Sequence, residues 1–207
     1  QGDIKFDTEL KQQDNGILNF TTHIHPGNIL YNGELWNIAE SLIKRSNGTY
    51  NIKNFELSND TRALHVDGYI GYNATDNLKI KLNEINIENI LNIVNFHSVD
   101  FGGTANGEIE ISKLLHEPKF SSKLRVKDFK FEKGDMGNLV FKGNWNEEEK
   151  AILIDGEIDN NNKKSIINGF ISPANDTIRI GIEANGANID FMNNMLSSVL
   201  ADVKGEV

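Results

Sequence analysis

Residues 139–158 read LVFKGNWNEEEKAILIDGEI, two alternating runs joined by a polar interval. Leu139, Phe141, Gly143 and Trp145 alternate with Val140, Lys142 and Asn144; after a polar interval, Ile152, Ile154, Gly156 and Ile158 alternate with Leu153, Asp155 and Glu157. A period of two puts every second side chain on one face of an extended chain, so each run reads as a strand with one dry and one wet face. The cluster Asn146-Glu147-Glu148-Glu149 between them reads as the turn of a hairpin. Outward from this hairpin the same alternation recurs at Leu64-Val66-Gly68-Ile70, Leu78-Ile80-Leu82 and Ile178-Ile180-Ile182, and less cleanly at residues 4–10, 16–25, 49–57, 107–112 and 119–132. Polar clusters at Asn59-Asp60-Thr61, Asn160-Asn161-Asn162 and Pro173-Ala174-Asn175-Asp176 punctuate the runs. Roughly a dozen strands at ~10–13-residue spacing, joined by short turns, predict an all-β antiparallel meander.

Two segments change to helical spacing. Ile87, Ile90, Leu91 and Val94 fall at i, i+3, i+4 and i+7 behind Asn86, a candidate N-cap, with Glu88 in the first turn. Ile189, Met192, Leu196 and Val199 repeat the arrangement behind Asn188 with Asp190. The spacing predicts short helices near 87–95 and 189–200, each too short to hold without packing against the sheet or across an opening in it.

These segments belong to a longer repeat. Tyr50 to Leu57 aligns with Ala151 to Ile158, Val66-Asp67-Gly68-Tyr69-Ile70 with Ile167-Asn168-Gly169-Phe170-Ile171, Leu78 to Leu82 with Ile178 to Ile182, and Gly107-Glu108-Ile109 with Gly205-Glu206-Val207. The organisation expected is an N-terminal β segment over 1–49, a first repeat unit over 50–150 and a truncated second unit over 151–207, all in one continuous curved sheet. The chain opens on Gln1, and its second copy stops at Val207 where the first continues through Glu110-Ile111-Ser112. A segment of a longer repetitive protein is therefore expected.

Gly68, Gly143, Gly156 and Gly169 stand mid-strand on the apolar face. Mid-strand glycine weakens a strand and marks a bend or a close backbone approach. Repeated at similar depth in neighbouring strands, it predicts a strongly curved sheet with a dry concave side. The opposite face is wet: Lys123, Arg125 and Lys127 line one strand, and Asp155, Glu157 and Asp159 another.

Composition narrows the chemistry. Thirty Asp and Glu against 21 Lys and Arg give a net charge of -9, which argues against a nucleic-acid groove. With no Cys there is no disulfide, thiol nucleophile or thiolate metal centre. The longest apolar stretches, such as Ala151-Ile152-Leu153-Ile154, stop at four residues, far short of the ~18 of a membrane-spanning helix. His23 and His25 share a strand face but have no third ligand nearby in sequence, and the acidic triplet lacks a wrapping loop, so neither reads as a metal site. Gly102-Gly103-Thr104-Ala105-Asn106-Gly107 lacks the Lys and following helix of a phosphate cradle and reads as a turn or linker. No catalytic residue, metal or cofactor is expected. What the sequence offers is apolar surface in a repeated, curved sheet.

The order Leu82 to Leu91, then Gly102-Gly103-Thr104-Ala105-Asn106-Gly107-Glu108-Ile109-Glu110-Ile111, then Glu117-Pro118-Lys119-Phe120 and the strand Lys123 to Phe131 resembles the repeats of the AsmA-like family, in particular its TamB type from Gram-negative envelopes. The second copy, from Gly169-Phe170-Ile171-Ser172-Pro173 to Val207, resembles the Bacteroidetes form ahead of its C-terminal domain. The resemblance covers residues 50–207 well and residues 1–49 by strand pattern alone. It implies an open trough, a "β-taco", in a periplasmic protein anchored in the inner membrane outside these residues. The function it implies is carriage of phospholipid towards the outer membrane, or help to an Omp85-type barrel partner in assembling outer-membrane proteins. The groove residues expected are Leu64, Val66, Ile70, Leu78, Ile80, Leu82, Phe141, Ile152, Ile154, Ile167, Ile171, Ile178, Ile180 and Ile182, with phospholipid acyl chains as partner and no nucleic acid. The other readings the residues leave open are an assembly factor acting by β-augmentation and a β-sandwich adhesin or glycan-binding module. The last should show aromatic platforms on an outer face, whereas Trp36 and Trp145 lie among alternating apolar residues.

Overall fold

The structure, a computed structural model, describes residues 2–14, 16–89, 101–131, 134–172 and 177–184. Its strands are β1 (Gly2–Asp3), β2 (Phe6–Gln12), β3 (Leu18–Ile24), β4 (Gly27–Tyr31), β5 (Glu34–Ile38), β6 (Ser41–Ser46), β7 (Thr49–Asn59) and β8 (Arg62–Ile70). There follow β9 (Asn77–Asn86), β10 (Phe101–Ser112), β11 (Lys119–Phe131), β12 (Gly134–Asn146), β13 (Ala151–Asn160), β14 (Lys163–Ser172) and β15 (Thr177–Ala184). They form one open antiparallel sheet in the order β1-β4-β5-β7-β8-β9-β10-β11-β12-β13-β14-β15, with β2, β3 and β6 branching from β7. The all-β antiparallel expectation holds. The chain divides into two compact units, Gln1–Glu84 with Glu108–Phe120, and Ile85–Gly107 with Ser121–Val207.

In the first unit the branch at β7 has a local cause. The first half of β7 pairs with β6 (Ile43↔Ile52) and its second half with β5 (Ile38↔Leu57), on the same edge. Extended chain is interrupted at Ile4-Lys5, His25-Pro26 and Ala39-Glu40, so three long strands are each split in two at matching positions. Pro26 cannot donate to a ladder, which fits the break there. The hairpins on either side turn at Asn32-Gly33 and Asn47-Gly48, all four residues at positive φ, as a type I′ turn requires.

The line of breaks continues into β7 as a bulge: Lys53 and Asn54 together oppose Asp67, with Asn54 at φ 55°. The Asn54 N–H that leaves the ladder donates to Asp67 Oδ2 at 3.0 Å. In the second unit β11 carries the same device. Lys127 and Asp128 together oppose Asn138, Asp128 has φ 51°, and its N–H donates to Asn138 Oδ1 at 3.3 Å. A bulge with its freed donor captured by an Asx side chain of the next strand is thus found in both units.

The second unit is otherwise a regular ladder. Gly143 opposes Ile154, which opposes Gly169; Phe141 opposes Gly156, which opposes Ile167. Large and small side chains therefore alternate both along and across the strands, which seats each large one over a glycine. The core here includes Leu139, Ile154, Ile158 and Ile167, with Ile158 only 2% exposed. The hairpin pairs β7–β8 and β13–β14 share a register, Leu57↔Leu64 and Phe55↔Val66 in one, Ile158↔Ser165 and Gly156↔Ile167 in the other.

One expectation changes. The glycine-rich stretch 102–107 is not a turn or linker: it lies inside β10, and Gly103 and Gly107 at φ 123° and 142° let that strand pass close to the backbone of β11. Residues 27–46, for which the alternation predicts nothing, form β4, β5 and β6. A helical turn begins at Ile87, and Asn86 Oδ1 accepts the Glu88 N–H at 2.9 Å as an N-cap does. The remainder of the helix expected near 87–95, and the whole of that near 189–200, lie outside the described residues.

Candidate apolar binding face

In the first unit the pairing of β7, β8 and β9 stacks apolar residues into rows on one face: Leu57↔Leu64↔Leu82, Phe55↔Val66↔Ile80, and Ile52↔Gly68↔Leu78, with Tyr50↔Ile70 at the end. Directly opposed residues share a face, so these are contiguous. Leu78 and Leu82 are buried, whereas Leu64, Val66, Ile70 and Ile80 are half-exposed, as are Phe55 and Leu57 beside them. The rows thus make a broad apolar surface that the described residues only half cover.

In the second unit Phe141 (β12), Ile154 (β13) and Ile167 (β14) lie on one face together with Ile152↔Ile171. Ile154 and Ile167 are buried; Phe141, Ile152 and Ile171 are half-exposed; Ile180 is 43% exposed and stands opposite Gly169. Ile178 and Ile182 oppose Ile171 and Ile167 in register, and their side chains lie outside the description. The expected groove residues therefore form one set in each unit.

Sequence reasoning missed Ile52, Phe55 and Leu57, and with them Ile38. The bulge at Asn54 explains the first two: it puts Ile52 and Phe55 three apart and so hides a period of two. Trp36, 7% exposed, is packed under Arg62, whose guanidinium carbon lies 5.2 Å from the ring centroid. Trp145 is half-exposed. Neither indole forms an exposed aromatic platform.

The opposite face is held by ion pairs. On β9 and β10, Lys79 Nζ meets Glu110 Oε1 at 3.2 Å and Lys81 Nζ meets Glu108 Oε1 at 3.3 Å; on β13 and β14, Lys164 donates to Glu157 at 2.6 Å. The Lys79 hydrogen bond, helped by one from Asn77, holds the Glu110 carboxyl below its ordinary range against a small opposing effect of burial. A depressed folded value means stability that is present above the unfolded carboxylate range and is lost as pH falls through the folded one. Replacing Glu110 by Gln is expected to lower stability slightly at neutral pH and to make no difference well below the carboxylate range. Denaturant midpoints of both proteins across pH check this, and a pH-independent gap would assign the effect to packing instead.

Among the described residues no cluster of three or more His, Asp and Glu could hold a metal ion. His25 pairs with Asp7 at 2.7 Å, while His23 stands opposite Asp7 in the ladder and is exposed. No described helix is long and apolar enough to cross a membrane. Compared with protein-family models, with curated proteins and with solved structures, the chain matches none of them.

Proposed function

We propose that the chain is a segment of an AsmA-like envelope protein, an open curved trough with two short helices near 87–95 and 189–200, whose apolar face carries phospholipid acyl chains between the inner and outer membranes. The full-length protein would stand in the periplasm, anchored in the inner membrane outside these residues. The observation that carries the reading is the set of half-exposed rows in the first unit, where Leu57, Leu64, Phe55, Val66 and Ile80 stand in register on one face. A soluble sheet normally covers such a face, and large exposed apolar patches mark sites of interaction. An acyl chain asks only for continuous apolar surface, each buried methylene contributing ~0.8 kcal/mol, with no catalytic group. The test is mass spectrometry of lipid extracted from the chain purified out of a Gram-negative host. Phospholipid in stoichiometric amount is expected; a chain that carries none, and takes up none from vesicles after purification, overturns the reading.

A second reading, an assembly factor that offers a sheet edge to nascent strands, is favoured by β2, whose seven residues are all exposed.

A further inference from the structure

The strand β2 pairs only with β3, and its other edge has no neighbour among the described strands. Such an edge is a template for another strand, and proteins usually blunt one with proline, a bulge or charged side chains. Neither proline nor a bulge interrupts Phe6-Asp7-Thr8-Glu9-Leu10-Lys11-Gln12, and its charges are of both signs, so they select among registers rather than repel every partner. Phe6 and Leu10, on one face, are each 64% exposed, while Asp7, Glu9 and Lys11 line the other. Neither Glu9 nor Lys11 has an ion-pair partner among the described residues.

We propose that this edge pairs with the β2 edge of a second copy of the chain. A two-fold axis perpendicular to the sheet makes the strands antiparallel and sets residues of like parity opposite each other, so that the faces carrying Leu10 adjoin. The charges choose the register. With Thr8 opposite Thr8, Asp7 faces Glu9 twice. With Glu9 opposite Glu9, Asp7 faces Lys11 twice, but two like charges meet at the axis. With Leu10 opposite Leu10, Glu9 faces Lys11 twice, and the two leucines meet on the apolar face. Opposite charges directly across a ladder stabilise it and like charges do the reverse. The isologous pair closes on itself, so its product is a dimer rather than a fibre. This inference is independent of the lipid reading.

The chain has no Cys, which gives an unambiguous test. Leu10→Cys is expected to form a disulfide-linked dimer rapidly under mild oxidation, because opposed residues across the axis have Cβ atoms ~5 Å apart. Thr8→Cys is expected to link far more slowly, since the two copies of position 8 then lie roughly 13 Å apart at four strand rises. In sedimentation of the wild-type chain a weak, concentration-dependent dimer is expected. Glu9→Lys and Lys11→Glu should each raise its dissociation constant by about tenfold, and the double exchange should restore it. Circular dichroism confirms that each variant is folded. A wild-type chain that stays monomeric at every concentration, equal rates of linking at positions 8 and 10, or a double exchange that fails to restore association would each overturn the proposal.

Discussion

Replacing Gly68 by Val is expected to destabilise the chain by roughly 2–6 kcal/mol, the sum of overpacking and of a branched side chain forced to positive φ. Gly68 sits in β8 at φ 120°, and a Cβ there would run into the carbonyl oxygen of Asn77 on β9. Backbone cannot move aside as a side chain can, because β8 and β9 are held in register by Gly68↔Leu78 and Val66↔Ile80. Gly169→Val meets a carbonyl in the same way, that of Arg179 on β15, without a positive φ, so about 1–3 kcal/mol is expected. Val140→Ala, on the exposed face of β12, should stay within about 0.5 kcal/mol. Denaturant unfolding of the three variants gives the order directly, and a Gly68 variant as stable as the Val140 one would show that these glycines are incidental.

The difference between these glycines and the remaining ones shows what a sequence can reveal here. The mid-strand Gly68, Gly156 and Gly169 were legible because apolar residues flank them at two positions on either side, a pattern that survives any register. The hairpins at Asn59-Asp60-Thr61, at Asn146 to Glu149 and at Asn160 to Asn162 were legible through turn chemistry. The strands β4, β5 and β6 were not. Their alternation is cut at His25-Pro26 and Ala39-Glu40, and Ile29-Leu30 and Leu42-Ile43 put apolar residues side by side. The signal that could have found them is the pair of Asn-Gly dipeptides at 32–33 and 47–48, the strongest short-range sign of a tight hairpin. Gly103 and Gly107 misled for the converse reason, since glycine clustered with Thr and Asn reads as loop, whereas here it serves close approach between strands. As for the candidate face, its rows in β8 and β9 were legible from alternation; β7 was legible as a strand over 49–57, but one extra residue at the bulge hid which of its side chains join the face.

Charge placed on that face should separate open surface from sealed core. Ile158, 2% exposed, has no room for a solvated carboxylate, and a buried charge without a partner costs several kcal/mol. Ile158→Asp is therefore expected to abolish the cooperative thermal transition or to lower its midpoint by more than ten degrees, on the scale of about 2–4 °C per kcal/mol for a chain of this size. Ile80 is half-exposed on β9 and Ile180 is 43% exposed on β15, so water reaches either position and the folded state should survive Ile80→Asp and Ile180→Asp with a smaller shift. Their effect should fall instead on ligand. If acyl chains lie along the row Phe55↔Val66↔Ile80, a carboxylate in that row interrupts the apolar surface there, and photo-crosslinking to a lipid probe should drop several-fold in Ile80→Asp while the melting transition remains. Crosslinking unchanged in Ile80→Asp and Ile180→Asp would place the lipid elsewhere. Loss of the transition in both would mean that these faces are closed in solution, and an enclosed apolar face leaves the trough reading without its surface.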